Sequence, residues 1–368
     1  MKKQHFYWLD TVRFLSALLV VMTHARGFIF VEYSQLLPPE RSVGVSLFYA
    51  VTRLGEEPVI CFFVLSGFLV GGLAIERMLS RNFDLGDYII DRCSRIFPPL
   101  VAALLLSTVI AAYVGIPPNP WHFVGNMLSL QPVIVPPYAG NAPLWSLAYE
   151  VWFYVLVGVI ALVAKHRFQA RLTVVLLLLA TALSLLAPVY LFCWLAGSIA
   201  YLLLRAVRPT IASVCVALVL LLGSIAILQL GSGGSMSARL LEQWAQGAAT
   251  IKVFSQLLLA GCFAYLFVAV AGLKPQSRPT LALERLGTYC AGFSFSLYLI
   301  HYPLLNLLAY LWAGKYKVVE PLSLSVYAIA VVGCCGIAWV ISLFVERNVR
   351  AIRLAVRQRL GKSFLVEP

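Results

Sequence analysis

Charge is what this sequence has least of. Only 12% of its 368 residues are Asp, Glu, Lys or Arg, while 61% are hydrophobic and the mean hydropathy is +0.89. A soluble globular domain carries about twice that share of charge. There is too little polar surface to cover a water-soluble core of this size, so a membrane is the economical solvent. Acidic residues are the scarcer sign: 15 against 28 basic, for a net charge of +13. The surplus does not point to nucleic acid, because the basic residues sit in short clusters between apolar runs. No C-x-x-C spacing and no Cys/His cluster is present. The eight cysteines, Cys61, Cys93, Cys193, Cys215, Cys262, Cys290, Cys334 and Cys335, are scattered, mostly within apolar runs. That pattern argues against a structural zinc and against a disulfide framework. The sequence also lacks a G-x-S-x-G elbow, an H-E-x-x-H helix and a Walker-type phosphate loop, and with them the hydrolases and nucleotidases those motifs carry.

What is present is apolar sequence from end to end. Ten spans are expected: 6–30, 58–78, 97–115, 144–164, 172–188, 190–204, 211–230, 254–273, 286–312 and 322–345. Most approach the roughly 20 residues that cross the hydrocarbon. The fifth and sixth are short, with Pro188 at the turn between them. The opening MKKQHFYWLDTVRFLSALLVVMTHA is read as an uncleaved first helix, since Asp10 and Arg13 interrupt what a signal peptide would keep apolar. With the N-terminus placed in the cytoplasm, 20 Lys and Arg fall on the cytoplasmic side and 7 on the outer side. This asymmetry sets the orientation and returns the C-terminus to the cytoplasm. The fold class expected is all-α, polytopic and transmembrane. Residues 1–346 form the membrane domain, and 347–368 form a short basic tail suited to anionic lipid headgroups. The proline-rich, uncharged stretch 116–143 is expected as an outer loop where an acceptor can enter. The GSGGS run at 231–235 is expected as a flexible outer turn.

An ionisable group inside a membrane is costly and needs a reason. Arg13 and His24 are eleven positions apart, about 1100° of helical rotation, so they fall within about 20° of one face, roughly 16 Å apart. The pair reads as a site, or alternatively as a snorkelling Arg and an interfacial His. Asp10 stands at i,i+3 from Arg13 and can hold it. Arg92 and Arg95, in DRCSRIFPPL, share a face where the third span begins. They read as a phosphate-binding pair or as plain positive-inside anchors. Glu150, in LWSLAYEVWFY, sits about two turns into an apolar helix, with Trp145, Trp152 and Tyr154 as interfacial aromatics. It reads as a functional carboxylate or as a structural one holding a neighbour. His301, in SFSLYLIHYPL, lies within the ninth span near Ser296 and Tyr298, and Pro303 predicts a kink. It reads as a helix-satisfied histidine or as a site residue. Ser66, Gly67, Gly71 and Gly72, in FFVLSGFLVGG, favour close helix packing.

Taken in order, LDTVRFLSALLVVMTHA, FFVLSGFL, RCSRIFP, LWSLAYE and YLIHYPL resemble the acyltransferase-3 family of integral membrane O-acyltransferases, from Leu9 to Glu346. The resemblance implies transfer of an acetyl or other acyl group from cytoplasmic acyl-coenzyme A, as donor substrate, to a hydroxyl of a cell-surface or exported glycan or lipid-linked saccharide. No metal is implied. It implies His24, Arg13 and Glu150 as catalytic and Arg92, Arg95 and Arg13 as donor-binding; the residue reading adds Asp10, Ser66, Trp145, Ser296, Tyr298 and His301 as supporting. The resemblance also implies a multi-pass protein of a bacterial-type inner membrane, of the stand-alone type without a fused esterase-like domain. Where the family often ends its last helix with Glu-Arg-Pro, this chain has Glu346, Arg347, Asn348. A transporter or flippase, and a non-enzymatic partner in glycan export, are the rival classes. The first predicts inverted repeats, and none is visible in the sequence.

Overall fold

The structure is a computed structural model that describes residues 6–131, 133–165, 170–205, 210–232, 245–274, 276–312 and 314–359. The described residues are helical, with no β-strand; one isolated bridge joins Phe30 and Tyr316. The helices are α1 Tyr7–Ile29, α2 Val43–Thr52, α3 Glu56–Ser66, α4 Leu73–Leu79, α5 Leu85–Tyr113, α6 Pro120–Met127, α7 Leu144–Lys165, α8 Ala170–Ser184, α9 Pro188–Leu202, α10 Ile211–Ser232, α11 Ala245–Ala271, α12 Arg278–Ala291, α13 Ser294–Leu311, α14 Pro321–Phe344 and α15 Val349–Arg359. Among the described residues eight helical segments are long and apolar enough to cross a membrane. They correspond to the first four and last four expected spans. The expected fifth and sixth are the 15-residue helices α8 and α9, which meet at a bend of 110°.

Local sequence explains most boundaries. Helix α1 has Asp10 in its first turn and Arg26 in its last, which suits the helix dipole at both ends. Helix α5 begins twelve residues before the expected third span. The Asp84 side chain accepts from Asp87 N, 2.6 Å, and starts the helix while the sequence is still polar. Arg92 and Arg95 therefore ride on a continuous helix. The expected ninth span is two helices: α12 ends at Ala291, and α13 starts at Ser294. Helix α12 carries Arg278, Glu284 and Arg285 and is too polar to belong to a crossing segment, so the span begins later than hydropathy alone suggests. Of the expected flexible turn at 231–235, Gly231 and Ser232 finish α10, and the rest lies outside the described residues.

The chain divides into two compact units. The first comprises residues 1–16, 56–83 and 170–291. Its centre is the crossing of the α3–α4 segment with α9. A π-helical turn, Gly67–Gly72, joins α3 to α4 and brings small residues to this contact. A Cβ on Gly67 would lie 1.8 Å from Trp194 O, and one on Gly197 would lie 1.9 Å from Val64 O. Backbone thus meets backbone, which only glycine permits. Ser198 Oγ donates to Gly67 O, 3.1 Å, and Trp194 Nε1 donates to Ser66 Oγ, 3.3 Å. Phe68 packs edge-on against Phe6, Tyr201 and Phe267.

The second unit comprises residues 17–55, 84–169 and 292–368. Here α13 packs against both α5 and α14, and α5 also contacts α7 and α15. The stretch 116–143 forms α6 and a set of turns whose polar groups are buried. Asn126 Nδ2 donates to His122 O and Pro136 O, each at 2.9 Å, and Asn126 Oδ1 accepts from Tyr138 N at 3.0 Å. Gln131 Nε2 donates to Leu144 O, 3.0 Å. These side-chain bonds meet backbone groups of the irregular stretch within the protein. Helix α15 is docked by charge: Arg353 Nε lies 2.9 Å from Asp91 Oδ1, and Arg357 Nη2 lies 3.3 Å from both Asp87 and Asp91.

Candidate active site

Two histidines distant in sequence meet in the second unit. His24 Nδ1 and His301 Nε2 are 2.9 Å apart, and the two rings lie nearly parallel at 16° with centroids 5.1 Å apart. His301 is 0% exposed, and its other nitrogen, Nδ1, is 3.1 Å from Leu297 O, one turn back on α13. His24 is half-buried, and its Nε2 makes no hydrogen bond among the described residues. Tyr302 stands edge-on to His24 at 5.1 Å, and Phe28 packs edge-on against Tyr302 at 5.2 Å.

Pro303 explains how the His301 turn is anchored. It has no N–H to give the carbonyl four residues back, Leu299 O. Asn141 Nδ2, from the stretch expected as an outer loop, donates to that carbonyl at 2.9 Å. On the same turn, Tyr298 OH and Ser146 Oγ are 2.6 Å apart, and both reach Pro143 O, at 3.3 and 3.1 Å. The turns before α7 thus grip the turn of α13 that carries His301.

Helix α7 continues the polar line. Ser146 and Glu150 are one turn apart, and Glu150 Oε1 accepts a hydrogen bond from Tyr154 OH a further turn on. Glu150 lies close enough to Tyr298 and to Tyr88 to act on both electrostatically. The Arg92 guanidinium sits over the rings of Tyr88, 6.0 Å, and Tyr154, 5.7 Å, a cation–π arrangement. Arg95 is exposed, unlike half-buried Arg92, and lies within electrostatic reach of Glu346. The Glu346 carboxylate faces Phe295 and Ser296 in the first turn of α13, where a helix favours negative charge.

Of the residues expected from sequence, the structure gathers His24, His301, Tyr298, Glu150, Arg92, Arg95 and Ser296 in the second unit. Trp145, on the first turn of α7, packs edge-on against Tyr149 at 5.4 Å. Ser66 belongs to the glycine crossing of the first unit. Arg13 and Asp10 form the expected i,i+3 ion pair, Nη1 to Oδ1 at 3.1 Å, also in the first unit. Arg13 and His24 lie on one uninterrupted helix. Sequence reasoning missed Ser146, Asn141, Tyr88 and Glu346. A faint signal existed for two of them: Ser146 is at i−4 from Glu150, and Pro303 announced a carbonyl in need of a donor.

A half-buried imidazole with one nitrogen engaged and the other unengaged, a carboxylate and two arginines can accept a proton and bind an anion. Comparison with known proteins agrees in kind. The acyltransferase domain of the acyltransferase-3 type matches residues 6–343. An uncharacterized protein of Haemophilus influenzae is 26% identical over 123 residues, covering 29% of this chain and 50% of that relative. The matched part thus spans half the length of that relative. No solved structure matches this chain. With a match over nearly its whole length and, among the described residues, eight helical segments apolar enough to cross a bilayer, the chain belongs to the acyltransferase-3 family and is a multi-pass membrane protein.

Proposed function

We propose that the protein moves an acyl group, acetyl in the first instance, from cytoplasmic acyl-coenzyme A to a hydroxyl of an exported or cell-surface glycan. The orientation is supported by the excess of Lys and Arg in the segments assigned to the cytoplasm, and a bacterial-type inner membrane is the setting the family resemblance implies. The observation that carries the mechanism is the free Nε2 of His24 in an imidazole whose Nδ1 is tied to His301.

In the reaction, the acceptor hydroxyl gives its proton to His24 as its oxygen attacks the thioester carbonyl. The carbon–sulfur bond then breaks, and the thiolate leaves with the proton that His24 returns. The products are an O-acyl ester and free coenzyme A. An imidazole suits this because its ordinary pKa stands near neutrality. Arg95 is exposed and can meet the donor's phosphates. Arg92, clasped by two aromatic rings, orders the Glu150 end of the site. Glu150 orients the acceptor through its carboxylate. Arg13, held by Asp10 on α1, steadies the acyl donor, a role that rests on helix periodicity and the family resemblance.

Transfer from labelled acetyl-coenzyme A by purified protein in lipid nanodiscs tests the reading. His24→Ala lowers the rate by roughly 100- to 10,000-fold, the range of general base catalysis. Transfer at the native rate by the His24→Ala protein would sink it. Glycan analysis of cells lacking the protein then names the acceptor.

A further inference from the structure

We infer that His301 is a positioning residue that dictates which nitrogen of His24 is the base. The inference rests on His24 being the base, and it follows from the direction of two hydrogen bonds.

A carbonyl oxygen can only accept. Since His301 Nδ1 lies 3.1 Å from Leu297 O, Nδ1 carries the proton. In a neutral His301 the other nitrogen, Nε2, is then a lone pair. His24 Nδ1 stands 2.9 Å from that lone pair, so His24 Nδ1 carries a proton and donates it. In a neutral His24 this leaves Nε2 bare. The chain runs from His24 Nδ1–H to His301 Nε2, and from His301 Nδ1–H to Leu297 O. With the opposite tautomer of His24, two lone pairs would face each other at this distance. The remaining arrangement, a doubly protonated His301 donating to His24, would put a cation at a site that is 0% exposed and has no carboxylate in ion-pair contact among the described residues. Such a charge is too costly to bury.

The groups around the pair fit this role. Tyr302 meets His24 with its ring at 86°, and Tyr298 lies beside His301 with centroids 6.0 Å apart. The helix turn bearing His301 is fixed by Asn141 at Leu299 O and by Ser146 at Tyr298. His301 thus occupies the place that a carboxylate takes in other histidine-based catalysts, where a third group fixes tautomer and ring orientation. A neutral imidazole does the same with no anion to desolvate. When Nε2 of His24 takes the acceptor's proton, its Nδ1–H becomes a charge-assisted donor, and the bond to His301 strengthens in the state where it is needed.

Nitrogen-15 NMR of the full chain in nanodiscs reads the tautomer directly, with the His24→Ala sample assigning the His24 signals among the five histidines of the sequence. The native protein is expected to show His24 protonated at Nδ1 and bare at Nε2. A native His24 protonated at Nε2 overturns the inference without any variant of His301. Kinetics supply the second arm. His301→Phe is expected to lower kcat by roughly 100-fold or more with little change in KM, as loss of an orienting group does. His301→Gln, whose amide oxygen can accept from His24 Nδ1, is expected to recover at least tenfold of that loss. Equal kcat in folded Phe and Gln variants overturns the positioning role. Activity surviving in His24→Ala instead removes the underlying reading, a separate outcome.

Discussion

In the first unit, Glu57 and Glu56 are each met by a glutamine amide from another helix, Gln229 and Gln256, and Lys252 stands 3.3 Å from Glu56. In the second, His24 and His301 meet each other, and His24 Nε2 is left over. Both arrangements bury ionisable groups in apolar surroundings, and burial of a polar group in a membrane invites a functional reading. The difference lies in what remains after packing. The acids of the first unit are drawn into a polar knot, and the glycine crossing of the same unit brings backbones into contact. The histidines of the second are oriented by neighbours but not used up. A packing crossing tolerates no added atom, whereas a site tolerates the removal of its reactive group.

That contrast is sharpest in its largest expected effect. Gly67→Ala puts a carbon where Trp194 O already lies, with backbone on both sides and no side chain to swing away. Overpacking usually costs about 1–3 kcal/mol, and a backbone-to-backbone collision belongs at or beyond the upper end. Thermal unfolding followed by fluorescence-detected size exclusion should show a large fall in Tm, with activity falling only as the folded fraction does. His24→Ala should do the reverse, losing transfer with only a modest fall in Tm from leaving buried His301 Nε2 without its donor. If His24→Ala melts as early as Gly67→Ala, the distinction between the two regions fails.

Asn141 tests whether the second unit has a structural demand of its own. Asn141→Leu leaves Leu299 O, already without a helical N–H because of Pro303, with no donor. An unsatisfied buried carbonyl costs about 1–3 kcal/mol. Because Leu299 is two residues from His301, kcat should fall further than the folded fraction. A fall in Tm with kcat per folded molecule unchanged would show that the latch serves stability alone.

How much of this was legible in the sequence follows from the range of each interaction. Local patterns carried the spans: helix α7 starts at Leu144 as read, and α14 starts within one residue of Leu322. Arg13 and Asp10 pair as their spacing allowed. The break between α12 and α13 was missed because a hydropathy window averages across Gly292 and Phe293. His301 was noticed but not understood. Its partner is 277 residues away, and no pattern along the chain says that α1 and α13 meet there. The same holds for Glu346, which ends one apolar segment and faces the first turn of another. Arg92 and Arg95 looked equivalent at i,i+3, yet one is clasped by Tyr88 and Tyr154 and the other is exposed.

Those two arginines give the next smaller effect. Arg95→Ala should raise KM for acetyl-coenzyme A about tenfold, roughly 1.4 kcal/mol of binding, with Tm unchanged. Arg92→Ala should cost about 1 kcal/mol of stability through the lost aromatic contacts and lower kcat more than it raises KM. Identical kinetic profiles for the two variants would return them to a single phosphate-binding pair.

The smallest effect belongs to the charges that dock α15. Arg357 reaches Asp87 and Asp91, and Arg353 reaches Asp91, with side chains between 19% and 49% exposed. Partly exposed pairs of this kind contribute about 0–1 kcal/mol each, because water and salt screen them. Arg357→Ala should therefore lower Tm slightly at low ionic strength and hardly at all in concentrated salt, with kcat unchanged. Asp91 immediately precedes Arg92 on α5, so the docking also balances negative charge near Arg92 and Arg95. Loss of Arg357 should then raise KM for the anionic donor modestly at low salt, and salt should abolish that difference too. A large loss of stability that salt does not touch would instead make α15 part of the packed interior of its unit, held by its apolar residues rather than by charge.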